Sequence, residues 1–335
     1  MLFNDPTQAA PPIAAQIERA ERIVILTHVN PDGDAIGSML GMWHALKSMG
    51  KTALPLASSP MPGYTNWLPE AERIHVYEPG MAFPEVDLVI MVDTATLARV
   101  GRVYDEHALA LAAIPTVIID HHVTNNGDGT LNLIVPEAAS TAELLYGLFC
   151  AMGLTITPAM ATCLLMGLTT DTQSFQTSAT TANSLRVAAA LLELGADQLR
   201  VVHEVYFALP PSSALLIGLA LSEMRRDGPI AWSRVTLAMM QAAGADDEAV
   251  DEVVRMMQRV AGVRALVVFK ERQGGSTKIS LRSVQPINVS TLATRWGGGG
   301  HAQAAGATLL MSPEQAEHEV LPQLRALAHE GSSKF

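Results

Sequence analysis

The chain has 335 residues, 49% of them hydrophobic and 16% charged, which supplies enough apolar material for two hydrophobic cores and excludes a largely disordered protein. The formal net charge of −11 excludes a broadly basic surface for long nucleic acid, because binding through counterion release requires an excess of Lys and Arg. It leaves open a phosphate substrate held by metal ions, which carry their own positive charge.

Cysteine usage and the N-terminal sequence favour a cytoplasmic location. Cys150 and Cys163 lie in apolar stretches and cannot form a disulfide framework. The N-terminal segment MLFNDPTQAA lacks the basic start and apolar core of a signal peptide. Residues 144–170 carry no charge, but Gly153 and Pro158 interrupt them, so we expect two buried helices joined near 153–158 and no membrane span.

Three short apolar runs in the first half of the chain end in polar residues. The runs are Arg22–Thr27 before His28, Val86–Val92 before Asp93, and Thr116–Ile119 before Asp120. Such runs are typical of strands buried on both faces of a parallel sheet. Apolar residues at spacings of three and four predict a helix over 34–50. Alternating strands and helices predict an α/β fold with a doubly wound parallel sheet, which binds ligands at the carboxyl ends of its strands.

A change of pattern after residue 202 predicts a second domain. We divide the chain into a catalytic domain over 1–202, a helical linker over 203–229 that contains Pro210 and Pro211, and a smaller α/β domain over 230–335. The predicted elements of this second half are a helix over Ala214–Met224, a strand over Ala231–Met239, a helix over Asp247–Val260, and strands over Val263–Lys270 and Lys278–Val284.

His28, Asp32 and Asp34 lie within seven residues, on a turn that contains Pro31 and Gly33. A turn can direct several side chains at one point, and imidazole and carboxylate groups without thiolate suit Mn²⁺ or Mg²⁺. The residues themselves leave an alternative open, because Asp is also common in turns and at helix N-caps.

Three further polar clusters are each ambiguous when taken singly. Asp93 in VDTAT could cap a helix, and Asp171 in GLTTDTQSF could belong to a helix-end loop. Asp120, His121 and His122 directly follow a predicted buried strand. Because neighbouring residues on a strand point in opposite directions, the two histidines are expected to have different roles.

Taken in order, these segments resemble the DHH phosphoesterase superfamily. HVNPDGDAIGS, VDTAT, IIDHH and GLTTDTQSF match its four N-terminal motifs, and VRALVVF, ISLRS and GGGGHAQAAGA match the substrate-binding motif of its DHHA1 domain. Within the superfamily the chain is most similar to the bifunctional oligoribonuclease (nanoRNase) and pAp phosphatase group, over roughly residues 15–330. The resemblance implies a DHH domain and a DHHA1 domain with the active site in the cleft between them.

The resemblance also implies two divalent metal ions, with Mn²⁺ preferred and Mg²⁺ or Co²⁺ as alternatives. The implied ligands are His28, Asp32 and Asp93 for one ion and Asp34, Asp93, His121 and Asp171 for the other. The implied catalytic residues are Asp93 as the bridging ligand, His122 facing the scissile phosphate and Asp120 orienting a histidine. The implied reaction is attack on phosphorus by a hydroxide that bridges the two ions.

Substrate binding is assigned by the same resemblance to the second domain. The implied contacts are Arg264, Arg282, Gly298, Gly299, Gly300 and His301, together with His122. Without the resemblance, the glycine run Gly297–Gly300 would predict a flexible loop. Glycine permits close approach of the backbone to a phosphate, and a small clamp of this kind favours short oligonucleotides.

We therefore predict a hydrolase of phosphoester bonds, of the exoribonuclease and 3′(2′),5′-bisphosphate nucleotidase type. Its substrates would be short oligoribonucleotides, linear dinucleotides and pAp (3′-phosphoadenosine 5′-phosphate), and not long nucleic acid. One alternative is a hydrolase of pyrophosphate or of another small phosphoester. Another is a non-catalytic nucleotide-binding protein, which would be expected to lack some ligand residues. The sequence leaves open a homodimer and the choice between His122 as general acid and as electrostatic stabiliser.

Overall fold

A computed structural model describes residues 1–330, with the side chains of His301 and Glu330 outside the described part. The chain divides between Ala208 and Leu209 into two units. The elements of the first unit are β1 (Leu2–Phe3), α1 (Pro6–Arg19), β2 (Arg22–Leu26), α2 (Gly33–Ser48), β3 (Thr52–Ala57), β4 (His75–Val76), β5 (Leu88–Val92), α3 (Arg102–Ala112), β6 (Thr116–Asp120), β7 (Leu131–Ile134), α4 (Thr141–Ala151), α5 (Pro158–Asp171), α6 (Ala182–Glu193) and α7 (Gln198–Val202). Short 3₁₀ turns lie at Gly63–Thr65, Ala71–Arg73 and Leu97–Val100, and a π-helical turn lies at His203–Phe207.

The first unit is built on a seven-stranded parallel sheet with the order β1-β7-β6-β5-β2-β3-β4. The chain extends from β2 through β3 to β4 on one side and from β5 through β6 to β7 on the other. The strand order therefore reverses between β2 and β5, and such a switch point opens a crevice at the carboxyl ends of the two strands. The sequence predicted three of these strands, now β2, β5 and β6, and the doubly wound parallel sheet is confirmed.

Helices cover both faces of this sheet, so the central strands β2, β5 and β6 are mostly buried and apolar. Alternate strand residues divide between two cores: Ile23 and Ile25 of β2 face a large core with α2, α4 and α5, and Val24 and Leu26 face a smaller one that includes Val103 of α3. This two-sided burial is the physical reason for β-branched runs without polar alternation.

Glycines along one side of α2 allow it to pack closely against α5. A Cβ atom at Gly37 would lie 2.3 Å from the backbone oxygen of Cys163, and one at Gly33 would lie 2.4 Å from the side chain of Thr170. Gly167 of α5 in turn leaves room for Asp34, because a Cβ there would lie 2.4 Å from an Asp34 oxygen. The crossing of these two helices therefore depends on glycine and brings the start of α2 beside the end of α5.

The uncharged stretch over 144–170 contains parts of α4 and α5, separated by residues 152–157, as predicted. Most of α5 is buried in the protein core. Within the described residues no single helix has the length and apolar character needed to cross a bilayer; one bent pair, Gln198–Phe207 with Pro211–Ser222, meets that test by length and composition only.

The second unit contains α8 (Pro211–Ser222), β8 (Arg225–Asp227), β9 (Ile230–Val235), α9 (Leu237–Ala243), α10 (Asp247–Gln258), β10 (Ala265–Glu271), β11 (Thr277–Ser283), α11 (Ser290–Thr294), β12 (Gly299–His301), β13 (Ala304–Leu309) and α12 (Pro313–Glu330). Its mixed sheet has the order β12-β13-β11-β10-β9-β8. One face packs against α11 and α12, and the other packs against α8 and α10. The smaller α/β arrangement predicted for this half is confirmed.

Two predictions about local elements in this half are wrong. The strand expected over Ala231–Met239 ends at Val235, because the side chain of Thr236 accepts a hydrogen bond from Met239 N and begins α9. Arg225–Asp227, which we expected in the linker, pairs with β9 as an antiparallel strand. Thr is as common in strands as at helix N-caps, so the apolar run alone did not locate the boundary.

Candidate metal centre

The ends of β2, β5 and β6 bring three predicted residues to one place. Leu26 pairs with Met91 and Val92 pairs with Ile119, so the residues that follow, including His28, Asp93 and Asp120, emerge side by side. His28 Nε2 lies 3.5 Å from Asp93 Oδ2. These side chains lie at the switch point of the sheet, where the topology creates a crevice.

Asp32 and Asp34 occupy different positions at the start of α2. Asp32 is the N-cap, and its Oδ1 accepts hydrogen bonds from Asp34 N at 3.0 Å and Ala35 N at 3.1 Å. The capping alternative is therefore correct for Asp32, whose carboxylate still lies close to His28 and Asp93. Asp34 does not cap its own helix.

Asp34 is instead held by the N-terminus of α4. Its Oδ2 accepts a hydrogen bond of 2.6 Å from Thr141 N, and its Oδ1 accepts one of 3.0 Å from Ala142 N. The side chain is fully buried. The partial positive charge of a helix N-terminus stabilises a carboxylate at this position. Ser140 caps this helix by accepting a hydrogen bond from Glu143 N.

Asp93 is the carboxylate that lies between His28 and His121. The backbone of Asp93 has a left-handed φ of 54°, an uncommon conformation that Asp tolerates better than most residues. Its Oδ1 accepts a hydrogen bond of 3.1 Å from Thr141 Oγ1 and lies 3.5 Å from His121 Nε2. Because its two oxygens face His28 on one side and His121 on the other, Asp93 is placed to bridge two groups of ligands.

His121 and His122 do not point in opposite directions, which corrects the expectation from strand alternation. His121 Nε2 lies 3.5 Å and His122 Nδ1 3.6 Å from the same oxygen, Asp93 Oδ1. The strand β6 ends at Asp120, so the two-residue period no longer applies to the residues that follow. The two rings still differ, because His122 Nδ1 also lies 2.7 Å from Asp120 Oδ1, whereas His121 Nε2 lies 3.1 Å from Asp171 Oδ2.

Asp171 completes the cluster from the far side. It is the last residue of α5, and the next turn contains three successive residues with left-handed φ, Gln173, Ser174 and Phe175. This turn ends the helix immediately after Asp171, so the carboxylate stands at the helix end beside His121.

The charges in this cluster perturb one another strongly. Burial by itself lowers the pKa of His28, but the hydrogen bond to Asp93 and the charges of Asp32 and Asp93 raise it to about 9. Burial by itself raises the pKa of Asp93, but the hydrogen bond to His28 and the charges of His28, His121 and His122 lower it. The net result is a pKa below the usual range of Asp. Burial, together with the charges of nearby carboxylates, raises the pKa of Asp171 to about 6 and raises the pKa of Asp34.

Three sets of three side chains fit a metal ion by composition and distance. The sets are His28, Asp32 and Asp93; Asp34, His121 and Asp171; and Asp93, His121 and His122, each with its ligand atoms within 4.8 Å of one another. All donors are imidazole nitrogens or carboxylate oxygens, a set that suits Mn²⁺ or Mg²⁺. Within the described part of the chain, no Lys or Arg pairs with Asp34, Asp93 or Asp171. The histidines are therefore the groups of the chain that balance these carboxylates, and a metal ion would take the place of their protons.

Two residues of this network are outside the set of site residues that the sequence predicted. Thr141 bonds Asp34 through its backbone and Asp93 through its hydroxyl, and Asn125 Nδ2 donates to Asp120 Oδ2 at 2.7 Å. Neither has a local signal, because a Thr at a helix start and an Asn in a loop are ordinary. Only the tertiary structure brings them to the motif residues.

Three of the residues expected to bind substrate, Arg264, Arg282 and His301, lie at one end of the sheet of the second unit. Arg282 on β11 pairs with Ala304, which pairs with His301 on β12, so the three share one row of the sheet. Arg264 immediately precedes β10, two residues before Leu266, the partner of Arg282. The side chain of His301 lies outside the described residues.

The glycine run has two structural roles. A Cβ at Gly298 would lie 2.1 Å from Gly306 O, and one at Gly300, where φ is 138°, would lie 2.4 Å from Ala304 O. These two glycines are therefore required by the pairing of β12 with β13, in which the end of the run forms a short strand. At Gly299 a Cβ would meet no atom within 4 Å, so that position is open.

Comparison with known proteins assigns both units. The sequence profile of the DHH family N-terminal domain matches residues 22–168, and that of the DHHA1 domain matches residues 232–330. The chain belongs to the DHH/DHHA1 phosphoesterase superfamily. This DHH protein is thus a hydrolase of phosphoester bonds, as the motifs predicted.

Similar proteins extend over nearly the whole chain. A bifunctional oligoribonuclease and PAP phosphatase NrnA of Thermus thermophilus is 36% identical over 304 residues, which covers 90% of this chain and 89% of the relative. A protein of the same description from Bacillus subtilis is 25% identical, over 92% of this chain and 96% of the relative. The crystal structure of an exopolyphosphatase-related protein from Bacteroides fragilis superimposes with a TM-score of 0.89 at 28% identity, over 97% of both chains.

Proposed function

We propose that this DHH protein hydrolyses short oligoribonucleotides and linear dinucleotides to mononucleotides and removes the 3′-phosphate of pAp. The observation that carries the chemistry is the position of Asp93, whose two oxygens face two separate ligand groups at the switch point. The substrate class rests on the T. thermophilus relative, which resembles this chain over both units.

We further propose two divalent ions, with Mn²⁺ as the working ion. His28, Asp32 and Asp93 would hold one, and Asp34, Asp93, His121 and Asp171 the other. When bound, such ions supply an acidified water as nucleophile and positive charge for the phosphoryl oxygens. The four carboxylates balance the charge of two divalent ions, so an acidic protein can bind an anionic substrate.

The residues of the chain have separate tasks in this reaction. The N-terminus of α4 and Thr141 hold Asp34 and Asp93 in fixed positions. Asp120 holds the Nδ1 side of His122, so the other ring nitrogen, Nε2, is the one that can face the scissile phosphate. From there His122 would stabilise the negative charge of the transition state or protonate the leaving oxygen.

The direct test measures turnover of 5′-phosphorylated di- to pentaribonucleotides and of pAp, side by side, with Mn²⁺ and with EDTA. We expect release of mononucleotides and of AMP with Mn²⁺ and none with EDTA. Pyrophosphate serves as a third substrate in the same assay. Turnover of pyrophosphate alone, by protein shown to contain metal, would replace this proposal with the pyrophosphatase alternative.

The glycine run offers a test of substrate contact that leaves the fold intact. If a substrate phosphate approaches the backbone at Gly299, alanine there should raise KM about tenfold, equivalent to one lost hydrogen bond of ~1.4 kcal/mol. Gly218 on α8 is the matched control, because a Cβ would likewise meet no atom within 4 Å. Gly218→Ala should leave KM unchanged. Equal KM values for the two variants would remove Gly299 from the substrate site.

A further inference from the structure

The side chain of Asn125 connects the two loops that carry Asp93 and His122. Its Nδ2 donates to Asp120 Oδ2 at 2.7 Å and to Thr94 O at 3.0 Å. Thr94 directly follows Asp93. The loop after β6 is therefore attached to the loop after β5 by one amide group.

The hydrogen bonds of Asn125 require an amide in one orientation. The two Nδ2 hydrogens serve Asp120 and Thr94, and Oδ1 accepts a bond of 2.9 Å from Gly127 N. The backbone N of Asn125 also donates to His122 O at 3.1 Å. Aspartate would offer no donor to Asp120, and a reversed amide would place an oxygen against a carboxylate.

Asn125 bears on His122 through Asp120. The Asp120 carboxylate is fully buried and receives His121 N at 2.9 Å and His122 Nδ1 at 2.7 Å on Oδ1, with Asn125 on Oδ2. With both oxygens engaged, this carboxylate has a fixed plane, and the ring of His122 follows it. When neutral, a ring held in this way carries its proton on Nδ1; when charged, it carries the second proton on Nε2, the nitrogen that points away from Asp120.

We propose that Asn125 is a positioning residue, which acts through Asp120 to fix the ring orientation and tautomer of His122 beside Asp93. The proposal rests on the proposed function for the catalytic role of His122. Asn125 would not touch the substrate or the metal ions, so its loss should lower kcat with little effect on KM or on metal content.

The kinetic test compares the same substitution at two neighbouring positions. Asn125→Asp keeps the size of the side chain and removes its hydrogen-bond donors. Asn126→Asp is the control, because it adds the same charge at an exposed position. We expect Asn125→Asp to lower kcat about 10- to 100-fold, which is the usual effect of losing a residue that hydrogen-bonds and orients a side chain of a metal site. KM should stay within about threefold of the parent value, and Mn²⁺ content should be unchanged. A kcat equal to that of Asn126→Asp would overturn the proposal. Asn125→Ser is the second variant should Asn125→Asp fail to fold.

A double variant separates positioning from a general structural role. If Asn125 acts through His122, adding Asn125→Asp to His122→Ala should reduce kcat by less than about twofold, because the ring that Asn125 positions is already absent. A merely structural residue would cause the same loss in both backgrounds. An undiminished loss in the His122→Ala background would contradict the proposal.

A third measurement does not depend on the substrate. The ring ¹⁵N signals of His122, identified by their absence in His122→Ala, are recorded in the Mg²⁺-loaded protein at a pH high enough for the ring to be neutral. We expect one tautomer with the proton on Nδ1 in the parent and in Asn126→Asp, and a mixture of tautomers in Asn125→Asp. Identical signals in all three would refute the positioning role. Because this readout needs no turnover, it remains decisive if neither oligoribonucleotides nor pAp is a substrate.

Discussion

Replacing Asp93 with asparagine is expected to reduce Mn²⁺-dependent turnover by about 10³-fold or more, because in the proposed mechanism several kcal/mol of charge stabilisation depend on ions that Asp93 would bridge. Asp93 is the carboxylate that faces both His28 and His121, at 3.5 Å from each. Asparagine keeps the size of the side chain and tolerates the left-handed φ of 54°, so the fold should persist. Alanine would add backbone strain to the loss of the ligand.

The measurement is kcat/KM for pAp and for a dinucleotide, together with metal content per chain. Asp128→Asn is the control, because Asp128 is exposed in the same unit. We expect the control to retain full activity and metal content. Turnover by Asp93→Asn within tenfold of the parent would contradict the bridging role.

The affinity for Mn²⁺ is expected to rise about tenfold per pH unit for each proton displaced, and so about 100-fold between pH 6 and pH 8 from His28 alone. The charges of Asp32 and Asp93 hold the pKa of His28 at about 9, so the ring is protonated in this range. A metal ion binds only the neutral ring and must displace that proton, which is harder at lower pH. Protonation of Asp171, whose pKa is about 6, adds to the loss below pH 6.

Calorimetric titration of the protein with Mn²⁺ in buffers of different ionisation enthalpy measures the protons released. We expect at least one proton per protein at pH 7. His28→Asn supplies an oxygen that does not titrate, so it should release fewer protons and bind with a weaker pH dependence. An affinity for Mn²⁺ that is constant from pH 6 to pH 8 would contradict a ligand role for His28.

The sequence predicted the α/β architecture and the strands that carry the site because their physical signals are local. Two-sided burial produces the apolar runs of β2, β5 and β6, and each run is followed directly by a polar residue. The motif order then indicated the superfamily, and the profile matches confirm it. The boundary of β9 was wrong because one residue, Thr236, decides it through a side-chain cap.

The orientation of side chains could not be predicted beyond the last strand residue. Alternation predicted that His121 and His122 diverge, but the chain leaves the sheet at Asp120 and both rings approach Asp93. The glycines after Gly297 were interpreted through a substrate phosphate, whereas Gly298 and Gly300 are required by the neighbouring strand β13. Only contacts distant in sequence reveal such a reason.

The sequence by itself determined the class of the fold through composition and periodicity, and the superfamily through the order of its motifs. The resemblance to that superfamily then supplied the candidate metal ligands. The tertiary structure alone decided how those residues are held. Thr141 lies 107 residues from Asp34 and bonds it, and Asn125 joins two loops that follow different strands. Hydrogen bonds of this kind depend on distances of about 3 Å, which arise only when the packed helices and the parallel sheet bring separate segments together.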